Sequence, residues 1–210
     1  MSNFDIFSPV IPVSARDNKR WHGLQGSSLS LAVANAAMQS KGPVLIVTAN
    51  TEEAEQLRRE LQFFCTNRPE QDLAADKDQD LPIFLFPDWE TLPYDNFSAH
   101  QDIISDRLRT LYHLPGLHKG VLIVSVTGLM HRLTPKQYVL SNSLMLEQGA
   151  RFSSESMRKN LISAGYQCVD SVHEHGEFAV RGSIMDIFPM GSNLPYRIDL
   201  FDEEIESLRL

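Results

Sequence analysis

"PVLIVTA" at residues 43–49, "LPIFLFP" at 81–87 and "KGVLIVSV" at 119–126 are the apolar runs that decide the fold of this 210-residue chain. Each run is continuous rather than alternating, which is typical of strands buried on both faces of a parallel sheet. Amphipathic patterns of helical spacing lie between the runs. The order strand, helix, strand, helix, strand predicts an α/β fold with a doubly wound, mostly parallel sheet.

The two intervening helices carry their own start and stop signals. "NTEEAEQLRRELQFF" should begin at a cap on Asn50 or Thr51. "HQDIISDRLRTLYHLPG" should end at Pro115 and Gly116. The polar residues 66–80, between the first of these helices and the apolar run 81–87, predict a solvated loop. The second helix is expected to bury one apolar stripe, formed by Ile103, Ile104, Leu108, Leu111 and Tyr112.

The pattern changes at about Pro135. A short helical segment, "SSESMRKNLISAGY", is followed by alternating runs with turn residues between them, "EFAVRGSIMDIFPMG", "PYRIDLF" and "EIESLRL". Such alternation is typical of antiparallel strands with one face in water. The sequence therefore predicts two domains, an α/β domain at 1–135 and a smaller α+β domain with an antiparallel sheet at 136–210.

Composition restricts the classes of function. The formal net charge is −8, which argues against a protein whose main partner is a phosphate backbone. Cys65 and Cys168 form no metal-binding or disulfide pattern and are expected to be buried reduced thiols. No apolar run is long enough to span a membrane and no signal peptide is evident, so we expect a cytoplasmic protein without membrane partners.

The stretch "HGLQGSSLSLAVANAAM" at 22–38 resembles a degenerate phosphate loop. Gly23, Gly26 and Ser30 match the GxxxxGK[ST] pattern, but Ser28 replaces its second glycine and Leu29 replaces its lysine. The favoured interpretation is a turn that caps a helix, and the alternative is weak anion binding at the helix N-terminus. No cofactor and no ATP hydrolysis are expected.

Three other stretches are candidate sites. "YRIDLFDEE" (196–204) resembles a magnesium-binding strand, but its alternation favours a half-exposed strand with a hairpin turn at Asp202 and Glu203. "HEHGE" (173–177) lacks further ligands for zinc, so no metal is expected. The aromatic residues of "FPDWETLPYDNF" (86–97) have acidic neighbours, which favours anchoring in the core over base stacking.

"EFAVRGSIMDIFP" at 177–189 offers the best recognition group of the second domain. Phe178 and Val180 should face one side of a strand, and Glu177 and Arg181 the other. Gly182 permits a bulge or sharp turn beside the arginine. An ordinary solvated arginine remains the alternative to a binding residue.

Three motifs resemble the N-terminal, UvrB-like region of the bacterial transcription-repair coupling factors (Mfd). They are "FPDWETLPYDNFSAHQDIISDRLRTLY", "GVLIVSVTGLM" and the stretch from "HGEFAVRGSIMDIFP" to "EIESLRL". The resemblance implies a degenerate, helicase-like nucleotide-binding domain followed by a docking domain for the excision-repair protein UvrA. It implies no damage-verifying hairpin, because only "WETLPYDNFSAHQD" joins the relevant strand to the next helix.

The resemblance also implies which residues bind the partner. Arg181 and Gly182 match the Arg-Gly of the family's UvrA-binding strand, and Ala179 and Glu177 share that face. The implied partner-binding set is completed by Gln167 and Arg197. Ala179 and Gln167 depart from basic residues in relatives, which implies a weaker or differently distributed interface.

The function implied by the resemblance is non-catalytic recruitment of UvrA to stalled RNA polymerase. In the family, the translocase modules and the RNA polymerase contacts lie in segments beyond Leu210, so RNA polymerase and DNA are expected as partners only through those segments. The competing hypothesis is a regulatory or residual ATP site at Gly23, Gly26 and Ser30.

Overall fold

The computed structural model of the chain describes residues 5–66, 81–92, 95–143 and 146–210. The predicted loop after Thr66, at 67–80, and Tyr94 of the aromatic stretch lie outside the described residues. The chain divides into two compact units. Unit 1 comprises Met1–Asp88 and Gly116–Arg132, and unit 2 comprises Trp89–Pro115 and Leu133–Leu210. Residues 89–115, which the sequence analysis counts with the first domain, are thus part of unit 2.

The helices and strands follow in a mixed order along the chain. Among the described residues no helix is both long and apolar enough to cross a membrane. A single 3-10 turn, Leu114–Gly116, follows α3. The elements are α1 (Ser28–Gln39), β1 (Val44–Thr48), α2 (Thr51–Thr66), β2 (Ile83–Phe86), α3 (Gln101–His113), β3 (Val121–Ser125), α4 (Val126–Met130), α5 (Lys136–Ser141), α6 (Ser154–Ser163), β4 (Gln167–Cys168), β5 (Glu177–Arg181), β6 (Ile184–Ile187), β7 (Tyr196–Phe201) and β8 (Glu204–Arg209).

Unit 1 contains a three-stranded parallel sheet in the order β1-β3-β2. All three predicted strands are therefore present, and β3 lies in the centre. Helices α1 and α2 share one apolar cluster with the sheet, formed by Ala34, Ala37, Ala54, Leu57, Leu61, Val121 and Ile123. The small alanine side chains of α1 allow that helix to pack closely in this layer.

The second face of β1 corrects the prediction of strands buried on both faces. Leu45 is 55% exposed and Val47 is 48% exposed, because α1 and α2 both pack in the cluster that contains Val44 and Ile46. In addition, no strand occurs in the described residues 5–27, so none leads into the Gly23–Gly26 turn. The helicase-like layering with a phosphate loop is therefore not observed.

Helix α2 begins as its sequence indicates. The side-chain oxygen of Asn50 accepts a hydrogen bond from the Glu53 N–H at 2.8 Å, and the Glu53 carboxylate accepts one from the Ala49 N–H at 3.2 Å. This reciprocal pair satisfies two backbone donors at the start of the helix. The prediction of a cap at Asn50 is confirmed.

Unit 2 contains a five-stranded sheet in the order β4-β5-β6-β7-β8. Strands β5 to β8 are antiparallel, as predicted, and β7 and β8 form a hairpin through Asp202 and Glu203. The two-residue strand β4 pairs in parallel with β5. The sheet is therefore mixed, which corrects the prediction of a purely antiparallel one.

One face of this sheet forms the core of unit 2 together with α6. The Ser153 hydroxyl caps α6 by accepting a hydrogen bond from the Ser156 N–H at 3.3 Å. The helix contributes Leu161 to the core, and the sheet contributes most of the rest. The buried cluster is Phe152, Leu161, Phe178, Met185, Ile187, Ile198, Leu200 and Ile205.

In helix α3 of unit 2 the most buried residues are polar and lie outside the predicted apolar stripe, of which Ile103, Ile104, Leu108 and Leu111 are half-buried. Ser105, Arg107 and Thr110 are its buried residues, whereas Tyr112 is 39% exposed. The polar groups are tolerated because they have partners. The Ser105 hydroxyl accepts a hydrogen bond from the Gly191 N–H at 2.8 Å, and the Arg107 guanidinium lies 4.1 Å from the centre of the Trp89 ring.

The two cysteines are free thiols in different environments. Cys65 is half-buried, and desolvation raises the pKa of its thiol. Cys168 is exposed, because it lies on the edge strand β4. The expectation that both thiols are buried is therefore wrong for Cys168.

Candidate partner-binding surface

The outer face of the unit 2 sheet is polar where its inner face is apolar. Successive side chains of a strand point to opposite faces, so the buried positions Phe178, Met185 and Ile198 fix which residues face outward. The strand register aligns the outward residues in two rows across β5 to β8. The first row is Ala179, Asp186, Arg197 and Arg209, and the second is Arg181, Ile184, Asp199 and Ser207.

These rows contain five charged residues, three arginines and two aspartates. We call the set Arg181, Asp186, Arg197, Asp199 and Arg209 the charged ladder. Arg197 and Arg209 lie directly opposite each other on β7 and β8, which is an unfavourable pairing of like charges. Asp186 and Asp199 offset this repulsion, because each carboxylate lies beside a guanidinium group.

Arg197 and Asp186 form a two-pronged ion pair. Nε of Arg197 donates to Oδ1 of Asp186 at 2.7 Å, and Nη2 donates to Oδ2 at 2.9 Å. These hydrogen bonds lower the pKa of the Asp186 carboxyl and raise the pKa of the Arg197 guanidinium. The Asp186 side chain is 14% exposed and the Arg197 side chain 47%, so the arginine lies on the solvent side of the pair.

Arg209 and Asp199 repeat this arrangement on β8 and β7. The Arg209 guanidinium donates from Nη2 and Nε to Oδ2 of Asp199, and the Ser207 hydroxyl donates to the same oxygen at 2.6 Å. The hydrogen bond from Ser207 is the main cause that lowers the pKa of Asp199, followed by the hydrogen bond from Arg209. Arg209 is 64% exposed and covers a carboxylate that is 16% exposed.

Arg181 differs from the other two arginines. Its Nη2 donates to the backbone carbonyl oxygen of Asp170, and within the described residues it forms no ion pair. The residue is exposed. A guanidinium group carries five N–H donors, so most of those of Arg181 are available to a partner's carboxylate or carbonyl groups.

Gly182 positions Arg181 at the end of β5. It occupies the first central position of the two-residue turn between β5 and β6, and its φ is +60°. A glycine with positive φ at this position is typical of tight hairpin turns that match the twist of the strands. The predicted sharp turn beside Arg181 is therefore confirmed.

The other partner-binding candidates, Gln167, Glu177 and Ala179, lie on or beside this face, but fewer of their atoms are available to a partner than those of Arg181. Gln167 is exposed on β4 opposite Glu177. The Glu177 carboxylate accepts hydrogen bonds from the His173 and Glu174 N–H groups at 2.8 and 2.9 Å, which lower its pKa. Ala179 is 1% exposed, so its methyl group is not accessible.

The residues of the degenerate phosphate loop form a helix start. Gly23 and Gly26 have φ of +76° and +52°, and Leu29 is 47% exposed. The Ser28 hydroxyl donates to the Gln25 carbonyl oxygen at 2.7 Å. The hydroxyl of the buried Ser30 donates to the Glu60 carboxylate on α2 at 2.5 Å, which is the main cause that lowers the pKa of Glu60.

The histidines of "HEHGE" contact protein groups in unit 2. Nδ1 of His175 lies 2.7 Å from Oδ1 of Asp102, and Nε2 lies 2.8 Å from the Ser192 carbonyl oxygen. In the parts of the chain that the structure describes, no group of three or more His, Cys, Asp or Glu residues has a geometry that could hold a metal ion.

The aromatic stretch 86–97 is anchored only in part. Phe86 is buried in unit 1 and Trp89 packs against Arg107 in unit 2, but Phe97 is 82% exposed. The prediction that these aromatics anchor in the core is therefore wrong for Phe97.

Sequence reasoning missed the acidic members of the ladder and Arg209. The alternation of "YRIDLF" does place Arg197 and Asp199 on one face, so Asp199 could have been found from that signal. Arg209 is harder to place, because a register shift between Asp199 and Leu200 changes the pairing of β8. Which arginine pairs with which carboxylate depends on neighbours from other strands and is not encoded locally.

Known proteins match the chain in two ways: one family model matches its C-terminal part, and several relatives match nearly its whole length. Residues 144–210, which contain the charged ladder, match the UvrB interaction domain family. Residues 144–210 are thus similar to a UvrB interaction domain, and in this chain they contain a mixed sheet with a charged outer face.

The whole chain is similar to bacterial transcription-repair-coupling factors. It is 44% identical over 96% of its length to the factor of Escherichia coli, 42% identical over 97% to that of Haemophilus influenzae, and 26% identical over 89% to that of Bacillus subtilis. The chain therefore belongs to the transcription-repair coupling factor family. It spans 16% of the length of the Escherichia coli relative.

Proposed function

We propose that this chain is a non-catalytic recruitment module of a transcription-coupled DNA repair factor, which binds UvrA and so brings nucleotide excision repair to stalled RNA polymerase. The membership of the family and the match to a UvrB interaction domain support a role in repair. In this proposal residues 136–210 are the docking domain. Residues 1–135 are a degenerate helicase-like domain, and contacts with RNA polymerase and DNA belong to other segments of the family's longer chains.

The observation that carries the proposal is that Arg181 is exposed and uses few of its hydrogen-bond donors within the described residues. It is exposed at the end of β5, and within the described residues it donates only to a backbone carbonyl oxygen. Arg197 already binds Asp186 through two hydrogen bonds. Arg181 is therefore the arginine of the implied set with the most donors left for a partner, and we assign it the anchoring role.

The nucleotide-binding alternative is not favoured by the surroundings of Ser30. In a phosphate loop this hydroxyl would contact magnesium, but here it donates to the Glu60 carboxylate. A carboxylate at this place repels a polyphosphate, and Leu29 supplies no compensating cation. Titration with ATP and magnesium tests this alternative, and saturable binding below about 1 mM that is lost in Ser30→Ala would favour it.

Replacement of Arg181 by glutamate tests the proposed function. Anchoring arginines typically cost about 2–4 kcal/mol when truncated, and reversal of charge adds repulsion. We expect Arg181→Glu to weaken UvrA binding by at least about thirtyfold in calorimetric titration of the 210-residue chain.

The matched control is Arg158→Glu, since Arg158 is an exposed arginine on α6 and lies off the sheet face. It should bind UvrA like the unaltered chain. Equal binding by Arg181→Glu and the unaltered chain would contradict the anchoring role, and no binding by the unaltered chain would contradict the function itself.

A further inference from the structure

The charged ladder extends beyond Arg181 and Arg197 to β8. Asp186 and Asp199 lie beneath the arginines, at 14% and 16% exposure, whereas Arg197 and Arg209 are 47% and 64% exposed. An approaching molecule therefore meets guanidinium groups first. The strands from β5 to β8, which carry the three arginines, span about 14 Å at ordinary strand spacing, which is enough to contact several groups of a partner.

All three arginines of the charged ladder have N–H donors that are not used within the described residues. Arg197 and Arg209 each donate from Nε and Nη2 to an aspartate, and within the described residues neither Nη1 group forms a hydrogen bond. Arg181 uses only Nη2. Guanidinium groups in this state fit carboxylates, which accept two parallel hydrogen bonds.

We propose that Arg209 is a further partner-binding residue and that the ladder as a whole recognises an acidic surface of the partner protein. This inference rests on the proposed function, because the partner is taken to be UvrA. Asp199 and Ser207 are positioning residues in this scheme: they hold the Arg209 side chain over β8, with its outer edge toward the partner.

An acidic protein surface fits the ladder better than a nucleic acid. The ladder contains both signs of charge, two carboxylates and three guanidinium groups, so a continuous row of phosphates would meet Asp186 and Asp199 as well. A protein partner can place its own acidic groups opposite the arginines only. The net charge of −8 over the whole chain also opposes non-specific attraction of DNA.

The test is titration of UvrA with the unaltered chain, Arg209→Gln and Arg158→Gln at two salt concentrations. We expect Arg209→Gln to weaken binding about tenfold and to reduce the dependence of affinity on salt, since one charge contact is removed. Arg158→Gln should change neither quantity. Arg209→Lys, which keeps the charge, should recover part of the affinity.

Three results would overturn the inference. The first is Arg209→Gln binding UvrA like the unaltered chain while Arg181→Glu does not, which leaves the proposed function intact. The second is a loss in Arg209→Gln of binding to duplex DNA but not to UvrA. The third is no UvrA binding by the unaltered chain, which removes the proposed function as well. Thermal unfolding of each variant checks that the fold is retained.

Discussion

Ser30 illustrates how one side chain connects two helices of unit 1. The residue is 3% exposed, and its hydroxyl donates a hydrogen bond to the Glu60 carboxylate. A hydrogen bond to a charged group contributes about 1.5–3 kcal/mol when buried, but Glu60 is half-exposed, so a smaller value applies. In this chain the Ser30 hydroxyl therefore connects α1 to α2, whereas in a phosphate loop the same hydroxyl would contact magnesium.

Replacement of Ser30 by alanine should reveal this contact. We expect the free energy of unfolding at pH 7 to fall by about 0.5–1 kcal/mol, because alanine's better helix propensity offsets part of the lost bond. Urea unfolding measures the change. Since the contact lowers the pKa of Glu60 in the folded state, its stabilisation is present above the unfolded-state pKa and is lost as pH falls through the folded-state pKa.

The difference between the unaltered chain and Ser30→Ala should therefore shrink in acid. Glu60→Gln serves as the control, since a neutral amide cannot show this pH dependence. A difference between the two chains that stays constant from neutral to strongly acidic pH would contradict the assignment.

For single residues, the sequence predicts which face of a strand a side chain occupies better than it predicts which groups that side chain contacts. Alternation within β5 and β7 places Arg181 and Arg197 on the side of each strand that faces away from the core, whereas a binding role for them is implied only by the family resemblance. The sequence does not show that Arg197 is held by Asp186 while Arg181 is not, because these contacts join different strands. The burial of Arg107 was missed for the same reason, since its ring partner Trp89 lies outside the helix.

The β5–β6 hairpin is the element that presents Arg181, and its turn depends on Gly182. A Cβ atom added there would meet no atom within 4 Å, so space does not restrict the position. The backbone does, because φ is +60°. An L-residue in this region costs roughly 1–2 kcal/mol, and asparagine tolerates it better than β-branched residues.

The loss of stability caused by a substitution at Gly182 should therefore depend on how well the new residue tolerates a positive φ rather than on its size. We expect Gly182→Val to lower the free energy of unfolding by about 1–2 kcal/mol and Gly182→Asn by clearly less. Denaturant unfolding of both variants measures the order. Equal losses for valine and asparagine would mean that the positive φ is not the cause.

Elements with local signals were predictable, and elements stabilised by distant contacts were not. The cap at Asn50, the three parallel strands and the β7–β8 hairpin follow from patterns within a few residues. Strand β4 has only two residues and exists through its pairing with β5, so no local pattern indicates it. The burial of polar residues of α3 also depends on distant groups, such as the Gly191 N–H that donates to the Ser105 hydroxyl.

At the scale of the whole molecule, the described residues form two hydrophobic cores, one in each unit. Leu61 is 0% exposed in the core of unit 1, and Ile198 is 0% exposed in the core of unit 2. Truncation of a buried leucine or isoleucine to alanine typically costs about 2–5 kcal/mol. Such a loss of stability should mainly destabilise the unit that contains the truncated side chain.

Leu61→Ala should therefore accelerate amide hydrogen exchange in unit 1, and Ile198→Ala should do so in unit 2. Mass spectrometry of peptides from both units measures the effect, and each variant is the control for the other. If Ile198→Ala accelerates exchange equally in both units, the two cores do not act as separate units of stability. UvrA binding should be weakened by Ile198→Ala and retained by Leu61→Ala.

The aspartates beneath the arginines affect the entropy of association. An arginine that moves freely must be immobilised when a complex forms, at a cost of roughly 0.5–1.5 kcal/mol for each such side chain. Asp186 and Asp199 restrain Arg197 and Arg209 in the unbound protein, so this ordering takes place during folding. A partner that contacts these two groups then meets a rigid template, and complexes formed on it should dissociate more slowly than those formed on mobile side chains.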